Sequence, residues 1–379
     1  MWSDHQRLLI AGVLAGLLGV VAPARAAPGA LKAQVERTLQ EERVTGAVWA
    51  TLGRDGAIHT GAAGVKNAAT REPLRADSRV HVGSIAKTVL ATGLLHLAST
   101  GRLDLDAPVN RYLPALRFDN PWPDHPVRVR HLLDHTAGLD DIRLWQLFST
   151  QPTPDTPLRE AFDRDPTVLA IRSRPGSQFS YSNMGFALAG MVIEAVTRER
   201  YETWLDRELL RPLGMRDSTF RFTTQDGPSA DPRLAWGHHD LVTPAPAMPV
   251  YLRPAGQFTT TARDLAVFGA FLLGDGRVGD RPLVAPSLPR SARQWCGGKP
   301  GQPLSCSAVL VVGCWWVALS ACCCMKCCNC FLAAVRHKLP APAKARRLDW
   351  QPRSVACCYC AFPANGMAYM RCCRRCLSR

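Results

Sequence analysis

The chain has 379 residues and a net charge of +15, with 46 basic side chains, 31 acidic side chains and 15 cysteines. Residues 1–285 hold 32 Lys and Arg against 30 Asp and Glu, whereas residues 286–379 hold 14 against 1, and every cysteine lies at or beyond Cys296. A face that binds nucleic acid would place basic residues along a folded surface or a charged arm, whereas here the basic excess lies in the tail, among Cys, Trp and Pro and without helical or strand periodicity. No nucleic-acid partner is therefore predicted.

The first 26 residues have the pattern of a secretory signal peptide. A polar start that includes Arg7 precedes the apolar run Leu8 to Val21 and the small-x-small cleavage signal Ala24-Arg25-Ala26. The run is shorter than the roughly 20 apolar residues of a transmembrane helix, and an uncleaved anchor is the alternative. We expect a periplasmic or secreted protein that begins near Ala27.

Residues 27–285 are long enough for one domain with a sizeable core. A hairpin is predicted where Gly46 to Leu52 and Ala57 to Gly64 flank an Asp-Gly turn. The stretch Asp104 to Pro126 is rich in Pro, Asp and Asn and is predicted to be mostly loop. Helical periodicity and stop signals predict helices at Ser84 to Ser99, His131 to Leu139, Met184 to Val196, Tyr201 to Leu210, and from a Thr261/Asp264 capping box to Leu273.

Ser84 and Lys87 are the first residues that suggest chemistry. At a helix start, a spacing of three residues places the hydroxyl and the amine on one side within about one turn. A serine hydroxyl becomes a good nucleophile when a nearby base takes its proton, and a neutral amine or an adjacent phenolate can do this. The helix N-terminus favours the developing anion. By itself, the pair is equally compatible with an ordinary helix start.

Tyr181-Ser182-Asn183 supplies a second set of candidate groups, a phenol and an amide. It is by itself also compatible with a simple turn before the next helix. The two strings become informative because several other short strings accompany them in one order along the chain. Together these strings are Val82–Thr88 (VGSIAKT), His131–Leu139 (HLLDHTAGL), Pro175–Asn183 (PGSQFSYSN), Pro212–Met215 (PLGM), Pro254–Gly256 (PAG) and Thr260–Leu265 (TTARDL).

Over residues 35–285 this combination resembles the serine beta-lactamase-like family, which includes class C beta-lactamases, D-alanyl-D-alanine carboxypeptidases, D-aminopeptidases and related esterases. The resemblance implies an α+β fold of the beta-lactamase/transpeptidase type, with an antiparallel sheet flanked by helices, an all-helical lobe, and the site between them. It implies Ser84 as the acylated nucleophile, Lys87 as its proton-accepting partner, Tyr181 as base and acid, and Asn183 as the contact for a substrate amide. It implies no cofactor and no metal. The Ser84 backbone N–H would form half of an oxyanion hole.

The family has a third motif, a Lys or His followed by a small residue and Gly, on a strand that borders the site. In this chain the motif should follow Ala285. The nearby string of that shape, Lys299-Pro300-Gly301, is a poor match because proline has no N–H and interrupts a strand. The family's C-terminal segment also contributes three of its five strands. The resemblance therefore predicts an incomplete sheet, in which the hairpin lacks its main partners.

Residues 286–379 are predicted to be an anomalous Cys- and Arg-rich tail. Our hypothesis is that the coding frame slips near Pro286 to Arg293, so that a disordered, out-of-frame segment follows. Cys-x-x-Cys spacings such as Cys357 to Cys360 ordinarily suggest a metal site, but the pairs overlap and no folded knuckle is expected around them, so no metal is predicted. The uncharged stretch Cys306 to Cys324 is long enough to cross a bilayer. Membrane contact is expected to be possible only there.

The sequence thus predicts an exported serine hydrolase that acts through an acyl-serine intermediate. A beta-lactam, a D-amino-acid peptide and a small ester all remain open as substrates, so the partner is expected to be a small molecule or a peptidoglycan-type peptide. The alternative is a catalytically inactive product, or a binder of penicillin-type ligands, because the third motif is missing.

Overall fold

The structure, a computed structural model, describes residues 28–53, 55–285 and 308–313, and these residues all belong to one compact unit. The α-helices within these ranges are α1 (Pro28–Glu41), α2 (Ile85–Ser99), α3 (Val129–Leu133), α4 (Trp145–Phe148), α5 (Glu160–Asp163), α6 (Asn183–Thr197), α7 (Tyr201–Leu205) and α8 (Ala262–Leu273). The strands are β1 (Gly46–Leu52), β2 (Ile58–Asn67), β3 (Glu72–Pro73), β4 (Val80–His81), β5 (Gly237–His238), β6 (Pro244–Ala245), β7 (Thr259–Thr260), β8 (Arg277–Val278), β9 (Arg281–Pro282) and β10 (Ala308–Gly313).

The main sheet is antiparallel and has the strand order β10-β1-β2-β3. Its centre is the predicted hairpin, in which β1 and β2 pair from Gly46 opposite Gly64 to Leu52 opposite Ile58. The hairpin prediction is confirmed. An Asp-Gly sequence favours the tight turn that joins two such strands, so the register follows from a few neighbouring residues.

Strand β10 gives the hairpin a partner that the sequence did not predict. It pairs with the outer edge of β1, from Leu52 opposite Ala308 to Ala47 opposite Gly313. Its sequence, AVLVVG, is rich in β-branched residues, which suit a strand, and the free edge of β1 offers unpaired backbone groups. The rest of the tail, with the Cys-x-x-Cys spacings and Lys299-Pro300-Gly301, lies outside the described residues.

The sheet is covered on both faces, which explains why β1 is apolar at consecutive positions. Successive side chains of a strand point to opposite faces. Ala47 and Trp49 pack with Val35 of α1 in a small cluster on one face. Val48 and Ala50 point the other way and join the main core, on the side where α8 packs against β1 and β2.

Helices α2 and α6 form the middle of the main core. Both were predicted, and both are confirmed with boundaries within one residue. Leu90, Leu94 and Leu97 of α2 are fully buried, as is Leu188 of α6. Their apolar surfaces are removed from water, which is the main force that fixes the helices in place. None of the helices in the described ranges is long and apolar enough to span a bilayer.

Two other helix predictions need correction, one in its length and one in its helix type. The helix predicted from His131 to Leu139 is instead α3, which ends at Leu133, because His135 and Gly138 have positive φ angles of 52° and 78° and turn the chain away. The segment Tyr201 to Leu210 is helical throughout, but its second half is a π-helical turn.

The capping box predicted for α8 forms only in one direction. The Thr261 side chain accepts a hydrogen bond from the Asp264 backbone N–H. The Asp264 carboxylate does not bond back to Thr261. It accepts hydrogen bonds from the Asp217 backbone N–H and the Ser218 hydroxyl instead. The acid therefore joins α8 to a distant loop rather than closing its own helix end.

The pairing of β1 with β10 predicts that a truncated chain that keeps β10 is more stable than one that lacks it. A chain that ends at Gly313 should have a larger free energy of unfolding than one that ends at Ala285, by about 1 kcal/mol or more, because each backbone hydrogen bond contributes roughly 0.5–1.5 kcal/mol. The shorter chain should also aggregate more readily through the exposed edge. Urea unfolding of both purified chains is the measurement. Equal midpoints would mean that β10 contributes nothing, as the out-of-frame hypothesis expects.

Candidate active site

Ser84 lies directly before the first residue of α2. A serine at this position usually accepts a hydrogen bond from a helix N–H, but within the described residues the Ser84 side chain makes no such bond. Its Oγ atom lies 2.8 Å from the Oη atom of Tyr181 and accepts a hydrogen bond of 3.1 Å from the Nζ atom of Lys87. The hydroxyl thus does not bond to a backbone N–H of α2, and it contacts the side chains of Tyr181 and Lys87 instead.

Lys87 is buried, with 5% of its surface exposed, and among the described residues its Nζ atom contacts three oxygen atoms. Besides Ser84 Oγ, it donates to the side-chain Oδ1 of Asn183 at 2.8 Å and to the backbone carbonyl of Ala255 at 2.6 Å. An ammonium group has three N–H donors and no acceptor, so this arrangement suits a charged lysine. The charge also lies 5.0 Å from the centre of the Tyr181 ring, within the range of a cation–π interaction.

Tyr181 is held by His135, which lies in the loop after α3. The two rings stack with their centres 4.5 Å apart. The His135 Nδ1 atom accepts a hydrogen bond from the Ser182 backbone N–H at 3.0 Å, and the His135 carbonyl accepts one from Ser180 N–H at 2.7 Å. The residues on both sides of Tyr181 are therefore tied to one histidine, which places the phenol beside Ser84.

The ring of His135 is neutral at neutral pH. Burial, and to a lesser degree the positive charge of Lys87, lowers its pKa from 6.5 to about 3. A neutral ring can accept at Nδ1, as the bond from Ser182 requires.

His131, at the preceding turn, accepts a bond from the Arg128 backbone N–H. Among the described residues, no group of His, Cys, Asp and Glu is arranged to hold a metal ion.

Asn183 opens α6, and Asp141 fixes the direction of its side chain. One oxygen of Asp141 accepts both the Asn183 backbone N–H, at 3.1 Å, and the side-chain Nδ2, at 2.9 Å. With the amide nitrogen directed at a carboxylate, the amide oxygen must face the opposite way, toward Lys87. The acid also lies at a helix N-terminus, where negative charge is favourable.

The carbonyl of Ala255 belongs to a short 3-10 turn, Arg253–Ala255. Arg253 and Glu202 form a buried ion pair of 3.2 Å, each with 2% of its side chain exposed, and Arg253 also donates to the distant Thr156 carbonyl. Helix α6 approaches this turn at Gly190, where an added Cβ would lie 2.6 Å from a carbon of Pro254. A side chain at Gly190 would push the turn away from Lys87.

These groups meet at one end of a cleft with a volume of about 810 Å³, its open mouth included. The polar end of the cleft contains Ser84, Tyr181 and Asn183. Six large apolar side chains also line the cleft, and we refer to them together as the apolar wall. The apolar wall consists of Leu147, Phe148, Phe222, Met248, Val250 and Leu252.

The structure therefore brings together the four residues selected from the sequence, Ser84, Lys87, Tyr181 and Asn183. The sequence reasoning did not identify Asp141, the positioning role of His135, or the Ala255 carbonyl. His135 and Ala255 lie in strings that carried the family resemblance, but nothing in a single sequence shows that they contact this site. The expected third motif lies outside the described residues.

The Beta-lactamase family model matches residues 31–304. The chain belongs to the Beta-lactamase family. The Beta-lactamase match extends past residue 285, so it includes the start of the segment that the sequence analysis set apart.

Two curated members of the Beta-lactamase family illustrate its range. Esterase EstB of Burkholderia gladioli is 33% identical over 225 residues, which are 55% of this chain and 54% of the esterase. Penicillin-binding protein 4 of Amycolatopsis lactamdurans is 30% identical over 267 residues, which are 68% of this chain and 67% of that protein. The chain thus spans only about half the length of the esterase.

A solved structure confirms the fold. The octameric penicillin-binding protein homologue from Pyrococcus abyssi superposes with a TM-score of 0.57 and 25% identity, over 71% of this chain and 59% of that one. The predicted beta-lactamase/transpeptidase-like fold is therefore confirmed.

The depressed pKa of His135 predicts that the protein loses stability in mild acid. The folded state holds this ring neutral down to a pKa of about 3, whereas the unfolded chain takes up the proton near pH 6.5. The free energy of unfolding should therefore fall as pH drops from 6.5 toward 3, by up to about 1.4 kcal/mol per pH unit for one such group.

The substitution His135→Asn tests this pH dependence. Asparagine tolerates a positive φ, and its Oδ1 can accept from Ser182, but it does not titrate. Urea unfolding between pH 4 and 7 should show a shallower pH dependence for this variant than for the parent. His239→Asn, at an exposed position, controls for the loss of an imidazole elsewhere. Parallel curves for His135→Asn and the parent would contradict the prediction.

Proposed function

We propose that this protein is a serine hydrolase that acts through an acyl-serine intermediate. The observation that carries the proposal is the position of the Ser84 hydroxyl, 2.8 Å from Tyr181 Oη and 3.1 Å from Lys87 Nζ. A nucleophile within hydrogen-bond reach of its base, with that base oriented by a third group, is the arrangement that covalent catalysis requires. Membership of the Beta-lactamase family supports the same chemistry.

The contacts favour Tyr181 as the base. Lys87 donates to Ser84 Oγ, so the proton of Ser84 is available to Tyr181 Oη. The charge of Lys87 favours the phenolate form of Tyr181; as Oγ attacks a carbonyl carbon, this phenolate takes the Ser84 proton and becomes a neutral phenol. Tyr181 then returns the proton to the leaving group. In this scheme Lys87 acts as a fixed positive charge, rather than as the proton acceptor that the sequence resemblance implied.

The oxyanion of the tetrahedral intermediate would form near the N-terminus of α2. The Ser84 backbone N–H and the positive end of this 15-residue helix both favour negative charge there. Asn183 lines the same cleft and would contact the substrate. Its Nδ2 has two N–H donors, one of which is given to Asp141, so the other is available to a substrate carbonyl.

Two reagents test this function directly. A fluorophosphonate and a fluorescent penicillin should each form an adduct, which mass spectrometry should place on Ser84. Ser84→Ala should abolish labelling and leave the circular dichroism spectrum unchanged, because it removes one hydroxyl. Tyr181→Phe should slow acylation by about 10²-fold or more, which is the usual contribution of a general base.

The outcomes of that experiment separate the candidate functions. An adduct at another residue, or no adduct on a folded sample, would refute the role of Ser84. An adduct on Ser84 without turnover of any substrate would instead support a binder of penicillin-type ligands. Unchanged acylation in Tyr181→Phe would move the role of base back to Lys87.

We propose in addition that the protein is exported. The support is the sequence pattern of Arg7, the apolar run Leu8 to Val21 and the signal Ala24-Arg25-Ala26. N-terminal sequencing of protein recovered from the periplasm or the medium should begin near Ala27. A start at Met1 in that fraction would count against cleavage.

A further inference from the structure

The apolar wall of the cleft has two side chains that are unusually exposed for their type. Phe148 is 51% exposed and Met248 is 43% exposed, and both line the cleft that contains Ser84. Exposed apolar surface costs free energy in water, and where it is grouped it often marks a ligand groove. Here it lines the same cleft as the nucleophile, Ser84.

The two exposed residues are carried by segments that are fastened to each other. Phe148 ends α4, and the backbone carbonyl of Gln146 in the same helix accepts a hydrogen bond of 3.1 Å from the Tyr251 N–H. The Gln146 side chain is fully buried and donates to the Ala161 carbonyl at 2.8 Å. Trp145 and Tyr251 pack edge to face with ring centres 5.2 Å apart. The exposure of Phe148 is therefore imposed by a well-packed support.

The segment that contains Met248 is also held in place by hydrogen bonds. The Ala247 backbone N–H donates to the Gln225 side chain at 2.8 Å, and the Ala247 carbonyl accepts from the Thr224 hydroxyl at 3.0 Å. The apolar wall is thus formed before any ligand arrives, so little ordering cost accompanies binding.

The charge of the cleft points to the same class of ligand. Among the described residues that line it, there is no Asp, Glu, Lys or Arg. His81 is the titratable imidazole in this lining, and burial lowers its pKa to about 4, so it is neutral at pH 7. Among the described residues of the apolar wall, an ionised group would lose its water without gaining a counter-charge, which is unfavourable.

We propose that the enzyme prefers neutral esters that carry an apolar acyl or alcohol group, and that Phe148 and Met248 determine this preference by contacting that group. The proposal rests on the function proposed above. Ser84 Oγ would bond to the ester carbonyl carbon, the bond from that carbon to the alcohol oxygen would break, and the proton of Ser84 would pass through Tyr181 to the departing alcohol. Water would then release the acid by the reverse route.

Chain length and charge can be varied separately to test this preference in the full chain. We expect p-nitrophenyl hexanoate to acylate the enzyme at least tenfold faster than p-nitrophenyl acetate, since each buried methylene contributes roughly a fourfold gain. The p-nitrophenyl half-ester of adipate has the same chain length but ends in a carboxylate, and it should react at least tenfold more slowly than the hexanoate. Release of p-nitrophenol reports acylation even where the acyl-enzyme is not hydrolysed.

Matched variants test the two residues. Phe148→Ala and Met248→Ala should each lower the ratio of the hexanoate rate to the acetate rate by roughly fivefold. Leu144→Ala and Val242→Ala are controls, because these residues are also apolar and exposed, at 67% and 68%, but lie outside the cleft lining. A parallel series of alkyl acetates, from methyl to hexyl, detects contact with the alcohol instead of the acyl group, because the alcohols of this series are similar leaving groups.

The outcomes distinguish this inference from the proposed function. If no ester releases its alcohol and no reagent labels Ser84, the proposed function fails. If the acetate reacts but neither series depends on apolar size, or if the adipate half-ester reacts as fast as the hexanoate, the inference is overturned. Unchanged size dependence in both series for Phe148→Ala and Met248→Ala would also overturn the roles of these two residues.

Discussion

The contact between the Lys87 ammonium group and three oxygen atoms is the interaction on which the site depends. The oxygens come from the start of α2, the start of α6, and the turn that contains Ala255. A buried positive charge is unfavourable unless it is hydrogen-bonded. The fold must therefore hold these three segments together, and in doing so it also positions Ser84 for acyl transfer.

Much of the surrounding structure keeps those three segments from moving apart. Asp141 directs the amide oxygen of Asn183 toward Lys87, and the buried pair of Arg253 and Glu202 holds the turn that supplies the carbonyl. Buried ion pairs contribute little net stability, because desolvation offsets their attraction. In this site the ion pair matters mainly for geometry, because it holds the turn that contains Ala255 in one favourable arrangement.

The cleft combines this polar end with an apolar wall of fixed shape. Nucleophile, phenol and ammonium group are common requirements of acyl transfer to serine, whether the acyl donor is a lactam, a peptide or an ester. Discrimination among such substrates must then come from the remainder of the cleft. In the described part of this chain that remainder is mostly apolar and contains no Asp, Glu, Lys or Arg, so the apolar wall is the part of the cleft where substrates of different polarity would bind differently.

The sequence by itself determined the elements whose causes are local. The hairpin, α2 and α6 follow from periodicity and turn residues, and the proximity of Ser84 to Lys87 follows from a spacing of three residues at a helix start. Only the tertiary structure decided which distant segments meet. Asp141 and Asn183 are 42 residues apart, and the partner of Lys87 at Ala255 is a backbone carbonyl, a group that every residue has. Such contacts depend on how whole elements pack, so no pattern of residue types reveals them.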